Sequence, residues 1–115
     1  MLDQLNRVNL LFDIYGSLLT ERQQEALHFY FSENYSLAEI AAEYKISRQA
    51  VYDLIQRALE SMENLEKKLG LYKLFNEQQD LLTEADALLL QTELKERDLK
   101  RLKEIIAALR SSNEN

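Results

Sequence analysis

No proline interrupts the 115 residues of this chain, and only two glycines, Gly16 and Gly70, loosen its backbone. Proline and glycine are the strongest local breakers of helices and the usual residues of tight turns between strands. A chain this poor in both can run long helices but lacks the punctuation of a strand-and-turn architecture. The expectation is an all-α fold. Hydrophobic residues make up 46% and charged residues 30%, a balance that suits a folded chain with a buried core and not a disordered one.

Apolar periodicity and capping signals divide the first half into helices. Leu5, Val8, Phe12 and Tyr15 recur at steps of three and four, with Leu2 and Leu11 beside them, which predicts an amphipathic helix ending near Gly16. Thr20 followed three residues later by Gln23 forms a capping box. It opens a second helix whose inward stripe is expected to be Ala26, Leu27, Tyr30 and Phe31. The stretch "SENYS" breaks that period, and Ser36 with Glu39 repeats the capping box. A short third helix follows, from Leu37 to about Tyr44, burying Leu37, Ile40 and Ala41. Ser47 then caps a fourth helix beginning at Arg48.

Residues 36–59, "SLAEIAAEYKISRQAVYDLIQRAL", therefore read as a short helix, a tight turn and a longer helix. That is the layout of a helix-turn-helix, which places its second helix in the major groove of DNA. Two helices that cross steeply need apolar residues at the contact and a small residue where their backbones approach. Ile40, Ile46, Val51 and Leu54 supply the first, and Ala41 the second. A glycine is often preferred in such a turn for its left-handed conformation. Here Lys45 stands near that point, at a cost of about 1 kcal/mol if its backbone is left-handed.

Together "LLFDIYGSLLT", "LTERQ" and the helix-turn-helix stretch resemble the YlxM-like family, small bacterial proteins encoded beside signal recognition particle components. The resemblance runs from about Asn9 to Leu71. The middle portion is also similar to region 4 of bacterial sigma factors, with which it shares the LT, EIA, IS and V-x(5)-RAL pattern. The resemblance implies a sigma-region-4-like helix-turn-helix bundle in the cytoplasm, and a regulatory role linked to the signal recognition particle pathway. It brings no catalytic residues.

If Val51, Leu54, Ile55 and Ala58 face inward, the recognition helix exposes Ser47, Arg48, Gln49, Tyr52, Asp53 and Gln56, with Lys45 in the turn before it. Ser47 and the free amides of the helix start can hold a phosphate. Arg48 suits a guanine edge or a phosphate, and Gln49 an adenine edge. Tyr52 can pack on a sugar or a thymine methyl. The charge works the other way. The chain carries a formal charge of -6 and has a sequence pI near 4.8. Within residues 36–59, Lys45, Arg48 and Arg57 are balanced by Glu39, Glu43 and Asp53, so the motif itself is neutral. Affinity for nucleic acid without regard to sequence comes mainly from phosphate neutralisation, and little of it is available here. Two functions stay open. One is regulatory DNA binding; the other is a non-catalytic adaptor of the signal recognition particle pathway that binds protein or RNA and keeps the motif as scaffold.

Enzymatic chemistry finds no support in the residues. His28 is the sole histidine, and there is no cysteine and no glycine-rich phosphate loop. Glu21 with Glu25, and Glu39 with Glu43, sit four apart on helix surfaces, where carboxylates are usually solvated. No metal or other cofactor is expected. The N-terminus has an acidic start and scattered charges, unlike a signal peptide, and no run approaches the roughly 18 apolar residues of a membrane span. A cytoplasmic location is expected.

The second half of the chain points to assembly. Ile55, Ala58, Met62, Leu65, Leu69 and Tyr72 continue in alternating steps, the spacing of a coiled-coil seam. A second stripe comprises Leu81, Ala85 and Leu88, then Leu99, Leu102, Ile106 and Leu109 after a polar gap, with Thr83 as its candidate cap. Basic residues in "LKERDLKRLKEIIAALR" are interleaved with acids, as on a solvated helix face and unlike a membrane-surface helix. We expect a helix-turn-helix domain over residues 1–72 and a helical extension over 73–115, packed on that domain or on the partner in a homodimer.

Overall fold

The structure, a computed structural model, describes residues 2–113. Its helices are α1 (Leu2–Tyr15), α2 (Glu21–Leu27), α3 (Leu37–Tyr44), α4 (Arg48–Leu69), α5 (Leu71–Leu89) and α6 (Glu96–Asn113). A 3-10 turn, Gly16–Leu18, follows α1 and a π-helical turn, His28–Ser32, follows α2. No strand occurs among the described residues, and the fold is all-α. The chain divides into two compact units, Met1–Tyr72 and Lys73–Asn115.

The first unit is built on α4, which packs against α1, α2 and α3. Its core joins Leu11 and Tyr15 of α1, Ala26 and Leu27 of α2, Ile40 and Ala41 of α3, and Val51, Ile55, Ala58 and Met62 of α4. Both capping boxes form: Thr20 and Gln23 exchange side-chain-to-backbone hydrogen bonds at 3.1 Å, as do Ser36 and Glu39. The Arg7 guanidinium reaches from α1 to Glu63 of α4 with two hydrogen bonds, of 2.9 and 2.8 Å. That contact holds the Glu63 carboxyl below the usual carboxylate range. The pair therefore stabilises the fold above the pKa of an unfolded glutamate and is lost as pH falls through the lower folded value.

Two expectations about apolar stripes need correction. The π-helical turn takes up an extra residue through a backbone bond from Glu33 N to His28 O of 3.0 Å. The phase shift carries Phe29 and Phe31 against the core and leaves Tyr30 38% exposed. The stripe from Ile55 to Tyr72 is likewise not one continuous seam. Ile55, Ala58 and Met62 are spent inside the first unit's own core, Leu69 is exposed, and Gly70 ends the helix.

Gly70 adopts φ +65°, the left-handed closure in which glycine carries no steric penalty. Lacking a side chain, it cannot cap the helix that follows. Two groups from outside the turn do so: the Tyr15 hydroxyl accepts from Leu71 N at 3.2 Å, and Glu66 Oε1 accepts from Tyr72 N at 2.9 Å. A Cβ at position 70 meets nothing within 4 Å, so Gly70→Ala tests backbone strain alone. The expected result is a loss of about 1 kcal/mol, read as a thermal midpoint lower by a few degrees.

The second unit is a helical hairpin of α5 and α6. Glu84 pairs with Arg101, and Gln78 Nε2 donates to Ser112 Oγ at 3.0 Å, contacts that run antiparallel along the two helices. Asp98 Oδ2 accepts from Lys95 N at 3.1 Å and so caps the start of α6. Thr83, expected as a cap, lies in the middle of α5. The residues before it from Leu71 on include no proline or glycine to break a helix, so α5 starts at Leu71, directly after Gly70.

Candidate nucleic-acid interface

Residues α3 to α4 form the helix-turn-helix. Lys45 closes α3 in the left-handed conformation, φ 57° and ψ 44°, and Ile46 N donates to Ala41 O at 3.1 Å. A lysine here accepts a strain that glycine would avoid, and in return places a cation at the elbow of the motif. Ile40 is fully buried and Ala41 nearly so, against Val51 and Ile55 of α4. Ile46 departs from expectation. It is 40% exposed and lines a shallow hollow instead of filling the helix crossing.

The recognition helix begins with its cap satisfied: Ser47 Oγ accepts from Ala50 N at 3.0 Å. The Ser47 hydroxyl proton remains available to donate to a phosphate oxygen. Arg48 and Gln49 follow in the first turn, both exposed, with Tyr52 47% exposed one turn on. Gln56 is half-buried, so of the named side chains it has the least freedom to reach outward. Gln49 Nε2 donates to Asp53 Oδ1 at 3.0 Å. That bond uses one of two amide protons and leaves the other, with the amide oxygen, for the paired contact an adenine edge offers. Asp53 thus orients Gln49 while keeping a negative charge on the helix face.

Arg22 was not among the residues expected at the site. It lies on α2, outside the stretch whose charges were balanced above, and no local spacing links it to α4. Its guanidinium stacks over the Tyr44 ring at 4.0 Å. It also shares a hollow of about 480 Å³ with Arg57, Asp53 and Leu54 beside the recognition helix. The Tyr44 hydroxyl donates to Glu25 at 2.6 Å, and burial followed by that carboxylate pushes its pKa up. Glu21, Glu25 and Glu43 line a second hollow together with Arg22 and Tyr44. Cations thus flank α4 on one side, and an acidic wall stands next to them.

His28 is exposed and its Nε2 lies 3.2 Å from Glu33. Among the described residues no three His, Asp or Glu side chains are grouped to hold a metal, and no helix is long and apolar enough to cross a membrane.

A capped short helix, a left-handed turn and a 22-residue second helix with an exposed polar start define a helix-turn-helix protein. The chain belongs to UPF0122, the family described as "Putative helix-turn-helix protein, YlxM / p13 like", whose model matches residues 2–104. It is 47% identical over 87 residues to UPF0122 protein lmo1802 of Listeria monocytogenes, covering 76% of this chain and 79% of that one. A UPF0122 protein of Desulforamulus reducens is 46% identical over 86 residues, 75% and 74% of the two chains. UPF0122 protein BcerKBAB4_3669 of Bacillus mycoides is 41% identical over 109 residues, 95% and 99% of the two. The family match extends past Leu71 into α6, so most of the hairpin falls within the family's length as well.

Proposed function

We propose that the protein is a regulatory DNA-binding protein that reads duplex sequence with the first turns of α4. One observation carries this: the capped start of α4 presents Arg48 and Gln49 outward side by side, with Gln49 braced by Asp53. In this reading Ser47 and the helix-start amides hold a phosphate, Arg48 takes a guanine edge, Gln49 an adenine edge, and Tyr52 packs on sugar or a thymine methyl. Lys45 and Gln56 support from either end of the turn and helix, and Arg22 and Arg57 add phosphate contacts at the flank. The protein works without catalysis, in the cytoplasm, and as a homodimer whose two recognition helices read two half-sites.

Net charge fits such a role. Acidic surface around a few well-placed cations suppresses binding to arbitrary DNA and leaves affinity dependent on base contacts. Selection of binding sites from a pool of genomic fragments with purified protein tests this. The expected outcome is an enriched sequence whose binding falls about 10- to 100-fold in Arg48→Ala, equivalent to about 1–3 kcal/mol. Gln49→Ala is expected to relax base preference at one position with a smaller loss of affinity. Recovery of no sequence above background counts against the proposal.

A second reading is favoured by a groove in the first unit. It has a volume of about 1080 Å³, and Leu5, Val8, Leu11, Tyr30, Phe31 and Tyr35 line it together with the Arg7–Glu63 pair. Such a groove suits the apolar face of a partner helix. On this reading the protein is a non-catalytic adaptor that binds protein or RNA, its link to the signal recognition particle resting on the family resemblance alone.

A further inference from the structure

The hairpin of α5 and α6 buries little of what its sequence offers. Among its described residues, Ile105 is the one large apolar side chain that is fully buried. Phe75, Leu82 and Leu89, each seven residues after the last, stand 39%, 45% and 61% exposed along α5. Leu99 and Ile106, also seven apart, are 48% and 53% exposed along α6. Seven residues are nearly two helical turns, so each series forms one stripe, as in a coiled-coil seam. A two-helix unit of this size with one buried anchor supplies too little core to be stable by itself, since small scaffolds need an added staple or partner.

Charge identifies the partner. Along α5, Glu77, Asp80, Glu84 and Asp86 face a single Lys73, so the helix is net acidic. Along α6, Arg97, Lys100, Arg101, Lys103 and Arg110 outnumber Glu96, Asp98 and Glu104, so it is net basic. The Glu84–Arg101 pair shows the two surfaces meeting favourably within one chain. A second copy turned by a two-fold axis offers its basic α6 to this acidic α5 and its acidic α5 to this basic α6. Parallel matching of α5 with α5 would instead repel.

We propose that two copies of this chain associate through their hairpins, burying the Phe75–Leu82–Leu89 and Leu99–Ile106 stripes in an intermolecular four-helix bundle. The two-fold axis makes every contact occur twice, as in other isologous dimers. The interface residues lie on α5 and α6 and include none of the residues named at the start of α4.

Sedimentation equilibrium of the full chain, without nucleic acid, tests this. The expected species at micromolar concentration has twice the 13.5 kDa chain mass. The double variant Leu82→Glu/Ile106→Glu, altered at two exposed positions, is expected to sediment as a monomer while keeping the helical circular dichroism of a folded chain. Charge is tested separately. Lys100→Glu/Lys103→Glu alone and Glu77→Lys/Asp80→Lys alone are expected to be monomeric, and their mixture to recover the dimer mass. A wild-type monomer at high concentration overturns the proposal, because the stripes are then covered within the chain or by a different protein. A dimer that survives Leu82→Glu/Ile106→Glu overturns it too, because another surface joins the copies. None of these outcomes depends on whether α4 binds DNA.

Discussion

Tyr15→Phe is expected to lower the stability of the first unit by about 2–3 kcal/mol, far more than the loss of one oxygen atom from a surface would. Tyr15 is fully buried, and its hydroxyl has two duties. It donates to Glu66 Oε1 at 2.7 Å and accepts from Leu71 N at 3.2 Å. Bonds to a charged partner are worth about 1.5–3 kcal/mol, and the Leu71 amide loses its acceptor as well. Phenylalanine keeps the ring packing, so the change isolates the hydroxyl. For a domain of this size the thermal midpoint should fall on the order of 10–20 °C. Tyr15→Ala removes the ring as well and should cost about 3–5 kcal/mol or more, enough to unfold a marginal domain. Burial, and then the bond to Glu66, push the Tyr15 pKa up. Its contribution is therefore present below the unfolded phenol pKa and lost as pH rises through the higher folded value. Thermal denaturation of both variants decides the matter. A Tyr15→Phe midpoint within a degree or two of wild type would mean the junction between α4 and α5 is held by other contacts.

Much of this fold was legible because its signals are local. Capping boxes at Thr20 and Ser36 and the cap at Ser47 act over three residues, and each helix begins where they place it. The turn at Lys45 was legible for the same reason: Ile40, Ala41 and Val51 fix where the two helices must cross, and one residue between them has to take the left-handed bend. What escaped was long-range or out of phase. Tyr30 was misplaced because a π-helical turn shifts the register without any mark in residue type. Thr83 was misread as a cap because a polar residue inside a helix looks the same as one at its start. Arg22 was missed because α2 reaches the flank of α4 only through tertiary packing, and charge balanced over a linear window cannot include it. The role of Tyr15 as a stand-in cap for α5 joins residues 56 apart in the chain, beyond any periodicity argument. Apart from Lys45 in the turn and the half-buried Gln56, the expected recognition residues lie exposed at the cap and start of α4, because Val51, Ile55 and Ala58 set the helix phase.

Salt dependence of DNA binding should be steep in proportion to a small number of contacts. Lys45, Arg57 and the flanking Arg22, with the helix-start amides, let each copy engage about two or three phosphates, so a pair should show a log-log slope of roughly -4 to -5. Between 50 and 200 mM salt that slope weakens binding by about 10²–10³-fold. Random duplex, held by phosphates alone and repelled by Glu21, Glu25 and Glu43, should bind barely at all near physiological salt. Arg48→Ala should remove most of the preference for the selected site, while the remaining phosphate contacts keep the slope nearly unchanged. An Arg48 that met only phosphate would instead lower the slope by about 2 for the pair.

The most direct measurement is a titration of wild type and Arg48→Ala on the selected site and on random duplex across that salt range. The account predicts tight, salt-sensitive binding to the selected site that falls about 10- to 100-fold without Arg48, and near-absence of binding to random duplex. Equal affinity for both duplexes, unaltered by Arg48→Ala, would contradict it.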